Sequence, residues 1–342
     1  NSFCTLLASV TVDVMPSLAC LHEHLLQVVT ADRVSELEKC GFTVIDDGFP
    51  EALAAAFLEE ITKAKRTGLM DPNKVQFLTG SGPIEVTKPY VYEADMHQPK
   101  VRAKLPTFDA LFSEGVAAVA HAMNQKVPTL ELIESDDAVV RSKSFTIKAQ
   151  VNQGGCFPWH YDNPSKPNRR RLTFALYLCK DWTPEVGGEL VVMPFLKKQT
   201  VIPPRFNRLV IFRADMTLHR VLPCKIGFTR SCFTIWLESE TTNTDAEVNL
   251  RAKHLTLEST ELLATTPLQR SLSRAVYDEE YTRSAVECFG EGSREAKISA
   301  MIHEAHLRPL KANPSLWNFV EQLRAARPPG DCDDAEARSR SS

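Results

Sequence analysis

The sequence predicts an α+β protein, with a β-barrel or β-sandwich core between about residues 140 and 240, supporting helices before it and a helical extension after it. Three observations carry that expectation. Between 140 and 239, short alternating apolar runs recur between Gly, Pro and charged turns, which is the spacing of an all-β sandwich or barrel. On both sides, apolar residues recur at helical spacing, as in "EALAAAFLEEITKAKRTG" (51–68) and "PSLWNFVEQLRAA" (314–326). The chain has 342 residues, 43% hydrophobic and 24% charged, enough for one large core or two modest domains.

The elements follow in order. Residues 1–30 read as a poorly ordered leader. Its mildly apolar stretch is broken by Asp13 and Pro16 and is too interrupted for a membrane span. Residues 31–139 form a support region. "TADRVSELEKCGFTVIDDGFP" (30–50) is a helix, capped by Thr30 or Asp32 and ended by Gly41, followed by a short strand. The 51–68 stretch is a strong amphipathic helix with Lys and Arg in its last turn. "TGSGPIEVTKPYVYEAD" (79–95) reads as a mobile loop or a hairpin, and 108–126 as a second buried helix.

Within 140–240 the expected strands are "KSFTIKAQVN", "FPWHYD", "RLTFALYLC", "GELVVMP", "RLVIFRA", "LHRVLPC" and "RSCFTIWLE". Gly187 and Gly188 supply a turn between two of them. Residues 241–326 form the helical extension, with helices over 268–290, 293–307 and 314–326, and 327–342 is a polar tail expected to be disordered.

The formal charge of −3 gives no bulk electrostatic case for nucleic acid or an anionic membrane. "KPNRRR" (166–171) is a local basic patch, read as a solvated turn before a strand. Nine cysteines without a C-x-x-C pair argue against a disulfide framework or a zinc ribbon. Together with the absence of a usable N-x-S/T sequon, this favours a cytoplasmic or nuclear location. Because the chain begins at Asn1, the ER lumen or another organelle stays open.

"FPWHYDNP" (157–164) carries the chemistry. Residues i and i+2 of a strand share a face, so His160 and Asp162 aim at one point. That point is either a metal or an ordinary hydrogen-bonded couple. His219, 57 residues beyond Asp162, opens a later strand. Two histidines and one carboxylate make the facial triad of non-haem iron(II) oxygenases, which leaves positions free for a co-substrate and dioxygen.

Alternation places Arg230, Cys232, Thr234 and Trp236 on one face of "RSCFTIWLE". An arginine fork binds a carboxylate bidentately, as 2-oxoglutarate would require. In "RLTFALYLC", Tyr177 shares a face with Thr173, Ala175 and Cys179, and its phenol can donate to the same carboxylate. Trp159, Phe157, Cys156 and Cys232 are read as packing residues, and His303 and His306 as a solvated helix face.

From 140 to 239 the chain resembles the prolyl 4-hydroxylases, including the oxygen-sensing prolyl hydroxylase branch of the iron(II)/2-oxoglutarate-dependent dioxygenases. The motifs that carry the resemblance are "HYDNP", "YLCKDW", "GGEL", "PPRFNRLVIF" and "TRSCFTIW". A small insertion around "CKIGF" (224–228) departs from that pattern, and the helices after 250 lie outside the resemblance.

The resemblance implies a double-stranded β-helix, a jelly-roll or cupin-like core. It implies that His160, Asp162 and His219 bind Fe(2+), and that Tyr177 and Arg230 hold the C5 carboxylate of 2-oxoglutarate. Thr234 and Trp236 would line that pocket, and His160, Asp162, His219 and Arg230 would form the catalytic set. The implied co-substrates are 2-oxoglutarate and O2, with L-ascorbate as reductant and succinate and CO2 as co-products. The implied partner is a proline-containing protein or peptide, with no nucleic acid. Alternatives keep the cofactors but change the substrate to a small metabolite or another side chain, or make the barrel a catalytically silent binding module. The oligomeric state is not legible in the sequence.

Overall fold

The computed structural model describes residues 18–79, 82–163, 168–242, 255–266 and 268–328. The expected tail beyond residue 328 and the leader before residue 18 lie outside the described residues. The chain opens with α1 (Leu21–Val28) and α2 (Ala31–Cys40), then β1 (Phe42–Ile45) and α3 (Glu51–Arg66). The Thr30 hydroxyl accepts from the Arg33 N–H, and Gly41 ends α2 in the left-handed region at φ +81°. Next come β2 (Asp71–Thr79), β3 (Gly82–Asp95), α4 (Pro99–Arg102), α5 (Pro106–Ala110), α6 (Val116–Lys126) and α7 (Ala138–Lys143). A π-helical turn, Leu111–Gly115, joins α5 to α6.

Residues 18–30 correct the expectation of a leader. Leu21 and Leu25 are fully buried in the main core, because α1 lays one apolar face on α6. Leu25→Ala is expected to cost about 2–5 kcal/mol in denaturant unfolding, the usual penalty for truncating a buried leucine. A dispensable leader would show no change.

The remaining strands are β4 (Phe145–Asn152), β5 (Phe157–His160), β6 (Arg170–Tyr177), β7 (Leu190–Met193), β8 (Thr200–Ile202), β9 (Arg208–Arg213), β10 (Leu218–Val221) and β11 (Arg230–Glu238). All seven expected strands are present. β8 is an addition, and its three residues are too few to register as a periodic run. The strands form two sheets, β1-β9-β6-β11-β4-β3-β2 and β5-β10-β7-β8. Their inner faces oppose each other in a double-stranded β-helix.

Each sheet buries its outer face under helices. On the outer side of β11, Phe233 meets Phe49, Phe57 and Phe108 with ring centroids 5.9, 4.6 and 5.4 Å away. Glu60 fixes α5 there, its carboxylate accepting the N–H groups of Thr107 (2.7 Å) and Phe108 (3.1 Å).

The smaller sheet is covered by the extension, which comprises α8 (Thr260–Ala264), α9 (Leu268–Val276), α10 (Asp278–Phe289), α11 (Arg294–Lys311) and α12 (Pro314–Ala325). Trp159, Val191, Met193 and Leu218 pack into one cluster with Leu272, Tyr277, Leu307 and Phe319. His303 corrects the solvated-face reading. It is 7% exposed, and its Nε2 lies 2.8 Å from Asp278 Oδ1.

The 79–95 stretch is neither a mobile loop nor a hairpin in itself: it is the long strand β3, and its hairpin partner β2, over 71–79, lies before it and was not expected. β3 pairs with β4 as well as β2, with Val91 opposite Asn152, so it is a full member of the large sheet. Val75, Ile84 and Val86 of the hairpin pack with Cys156, Ala285, Cys288 and Phe289.

Candidate active site

The inner faces of β6 and β11 meet in register, with Cys232 opposite Tyr177, Thr234 opposite Ala175, and Trp236 opposite Thr173. These residues line a cavity between the two sheets together with His160, Asp162, His219 and Arg230. All seven residues singled out from the sequence therefore line one space. Phe157, read as packing, also lines it.

His160 and His219 sit on paired strands and lie directly opposite each other in the register. Their rings are 4.2 Å apart between centroids. Asp162 is not on the strand. β5 ends at His160, and Asp162 occupies the bend that follows. The carboxylate reaches the same point by a different route from the pleat. Its Oδ1 lies 3.6 Å from the Nε2 of each histidine.

Neighbouring groups hold these three side chains. Thr173 Oγ1 and Trp236 Nε1 each donate to Asp162 Oδ2 at 2.8 Å. Asp162 Oδ1 is left facing the histidines. His160 Nδ1 lies 2.8 Å from Pro158 O, and His219 Nδ1 lies 3.0 Å from Thr217 O. A carbonyl only accepts, so both Nδ1 atoms carry the hydrogen and both Nε2 lone pairs are free. Burial pushes the Asp162 carboxyl up, but facing His219 and His160 hold it well below the usual carboxylate range. Burial and the adjacent His219 lower the His160 pKa, against the opposing pull of Asp162. Two imidazoles and a carboxylate, with all three donor atoms within 4.8 Å of one another, fit a divalent metal.

The backbone at Asp162 is also anchored. Arg170 donates to the Asp162 carbonyl at 2.8 Å and lies over the Trp236 ring. Asn163, fully buried, donates its N–H to Ala214 O and its side-chain amide to Arg170 O, both at 3.0 Å. Sequence reasoning assigned Asn163, Arg170 and Thr173 no role. Asn163 stood in the quoted "HYDNP" and Thr173 on the same face as Tyr177, so both signals were available. Arg170 and Arg171 correct the solvated-turn reading of the basic patch. Arg171 is 7% exposed and pairs with Asp215 at 3.3 Å. Residues 166 and 167 lie outside the described residues.

Trp236→Phe removes one donor from Asp162 Oδ2 while keeping the ring. Iron affinity is expected to fall about 10–100-fold, as for other groups that orient a metal-binding side chain. Competition with a chelating dye measures it, and an unchanged circular dichroism spectrum separates it from misfolding.

Deeper in the barrel, Arg230 is 3% exposed. Its Nε donates to Gly188 O at 2.7 Å, and its guanidinium lies 4.8 Å from the Tyr177 ring centroid. Among the described residues no carboxylate forms an ion pair with it. A buried guanidinium without an anionic partner is costly and marks a place for a carboxylate ligand. Gly188 (φ +82°) makes room, since a Cβ there would lie 3.1 Å from Arg230 Cδ.

A jelly roll with a His-x-Asp and a distal histidine beside a buried arginine defines a non-haem metal oxygenase of the 2-oxoglutarate type. The comparisons agree. Residues 146–238 match the model of the 2OG-Fe(II) oxygenase superfamily. A prolyl 4-hydroxylase structure from Phytophthora capsici is 33% identical, with a TM-score of 0.74, over 91% of this chain and 97% of that one. A Trichoplax adhaerens prolyl hydroxylase, solved with a hypoxia-inducible factor peptide fragment, is 20% identical. That match has a TM-score of 0.50 over 64% of this chain and 91% of the other, and shows the fold alone. No curated protein matches the sequence.

The chain belongs to the 2OG-Fe(II) oxygenase superfamily, in its prolyl hydroxylase branch, and the family depends on iron(II), 2-oxoglutarate and O2. That match spans 91% of this chain and so is not confined to residues 146–238.

Proposed function

We propose that the chain hydroxylates prolyl residues in a protein or peptide, with succinate and CO2 as co-products and L-ascorbate keeping the iron reduced. The observation that carries this reading is the 33% identity to a prolyl 4-hydroxylase structure along nearly the whole of both chains. The peptide fragment bound to the Trichoplax enzyme is in keeping with a peptide partner.

In this reading His160, Asp162 and His219 hold the iron, and Thr173 and Trp236 orient Asp162. Arg230 binds the C5 carboxylate of 2-oxoglutarate, with the Tyr177 hydroxyl as a second donor and Thr234 lining the space between. Iron with 2-oxoglutarate and O2 supplies the oxidising equivalent that places a hydroxyl on a C–H bond. The protein's own residues orient the co-substrate and keep water out. Leu190, Phe212 and Val221 make the apolar wall of that space.

The domain limits proposed are a support region to residue 139, the oxygenase core over 140–240 and the extension beyond. No helix among the described residues is long and apolar enough to cross a membrane. A cytoplasmic or nuclear location is part of the proposal.

The test incubates the protein with iron(II), ascorbate, 2-oxoglutarate and proline-bearing peptides. The expected result is one added oxygen on a prolyl residue, matched by succinate release. Succinate release with free amino acids or small metabolites, and none with any peptide, would transfer the chemistry to a small substrate.

A further inference from the structure

At the seam where the β2–β3 hairpin, the approach to β5 and α10 meet, two cysteines touch. Cys156 is 2% exposed and Cys288 is 6% exposed. The Cys288 thiol donates to the Cys156 carbonyl at 3.2 Å. Both side chains belong to the same small buried cluster. With the Cys288 sulfur already against the Cys156 backbone, side-chain rotation can bring the two sulfurs together, and a disulfide holds Cβ atoms about 3.8 Å apart.

Their surroundings favour reaction at one of the two. The wall is apolar, formed by Val86, Ala285, Phe289 and Ala296. Two basic side chains flank it, Lys88 and Arg220, the latter paired with Glu287. Lys88 donates to Asn73 Oδ1 at 2.7 Å and lies 4.5 Å from the Phe157 ring centroid. The Cys156 thiol, Lys88 and Arg220 draw the Cys288 thiol below its ordinary range against the opposing effects of burial and the Glu287 carboxylate. Its contact with Cys288 and its burial push Cys156 up.

We propose that Cys156 and Cys288 are a modification site, a dithiol that a small peroxide oxidises to a disulfide joining α10 to the segment leading into β5. The Cys288 thiolate attacks one oxygen of hydrogen peroxide. The O–O bond breaks, and the departing hydroxide takes a proton to leave as water. The Cys156 sulfur then attacks the sulfenic acid. The S–S bond forms, the S–O bond breaks, and a second water leaves with the Cys156 proton. Two thiols lose two electrons, and the peroxide gains them.

The position gives the bond a consequence. Cys156 lies four residues before His160, and α10 already holds β5 where Trp159 N–H donates to Ser284 Oγ at 3.1 Å. A disulfide would tie the extension covalently to the strand carrying a proposed iron ligand. This inference does not depend on the substrate proposed above.

The full chain, stripped of metal so that iron does not consume the oxidant, is treated with hydrogen peroxide. It is then denatured, alkylated and digested without reduction. The expected result is a Cys156–Cys288 linked peptide, two hydrogens lighter than the separate pair, that dithiothreitol splits. Seven of the nine cysteines should remain open to alkylation. Cys156→Ala should leave a sulfenic acid on Cys288 that dimedone traps. Recovery of both cysteines as unlinked alkylated peptides, or linkage of either to a different cysteine, would overturn the proposal. The wild-type map decides even where the variant does not fold.

Discussion

His219→Ala is expected to lower iron affinity by more than about 100-fold, at least ~3 kcal/mol, and to abolish succinate release. The reason lies in the donor set. Among the described residues only His160, Asp162 and His219 form a metal-competent group, and no fourth side chain stands ready to replace a lost imidazole. Groups that merely orient a ligand cost 10–100-fold when removed, so removing a ligand should cost more. The fold should survive, because Asp162 keeps its bonds from Thr173 and Trp236. Isothermal titration with iron(II) or a redox-inert divalent surrogate measures the binding directly, apart from turnover. Iron binding within a few-fold of wild type would remove His219 from the metal set.

Arg230→Ala should have the second-largest effect, and on a different quantity. The KM for 2-oxoglutarate is expected to rise about 10²–10³-fold, about 3–4 kcal/mol, within the range of about 2–5 kcal/mol typical of truncating one partner of a buried charged pair. Iron binding should change little, because Arg230 touches none of the three proposed ligands. Without co-substrate, Arg230→Ala should unfold no earlier than wild type. It removes a buried cation that no described carboxylate neutralises. A structural arginine would behave oppositely, with early unfolding and an unchanged KM. Steady-state kinetics and thermal melts on the same preparations distinguish the two.

The two variants test the parts of the site most legible in the sequence. His219 could be named because it completes a two-histidine, one-carboxylate set, and Arg230 could be placed because a β-strand has a period of two, so local alternation states which residues share a face. Thr173, Ala175 and Tyr177 on one strand and Arg230, Cys232, Thr234 and Trp236 on another could be grouped before any fold was known. Trp236 was grouped correctly, but its bond to Asp162 depends on the β6–β11 register, which is a non-local fact.

Other features were hidden for the same reason. Arg170 reads as one cation in a basic run, yet it turns inward because the Asp162 carbonyl and the Trp236 face meet it there. His303 reads as exposed until α10 supplies Asp278. α1 reads as a leader because its apolar face becomes meaningful only against α6.

The sequence by itself determined the strand pattern, the flanking helices and the residue types able to bind a metal and a dicarboxylate. Tertiary structure decided which of those residues converge. It set Asp162 in a bend beyond the strand, His160 opposite His219, and Cys156 against Cys288 some 130 residues away. Local periodicity is written into each segment, whereas the pairing of distant segments is chosen by the burial of whole faces, which no single segment contains.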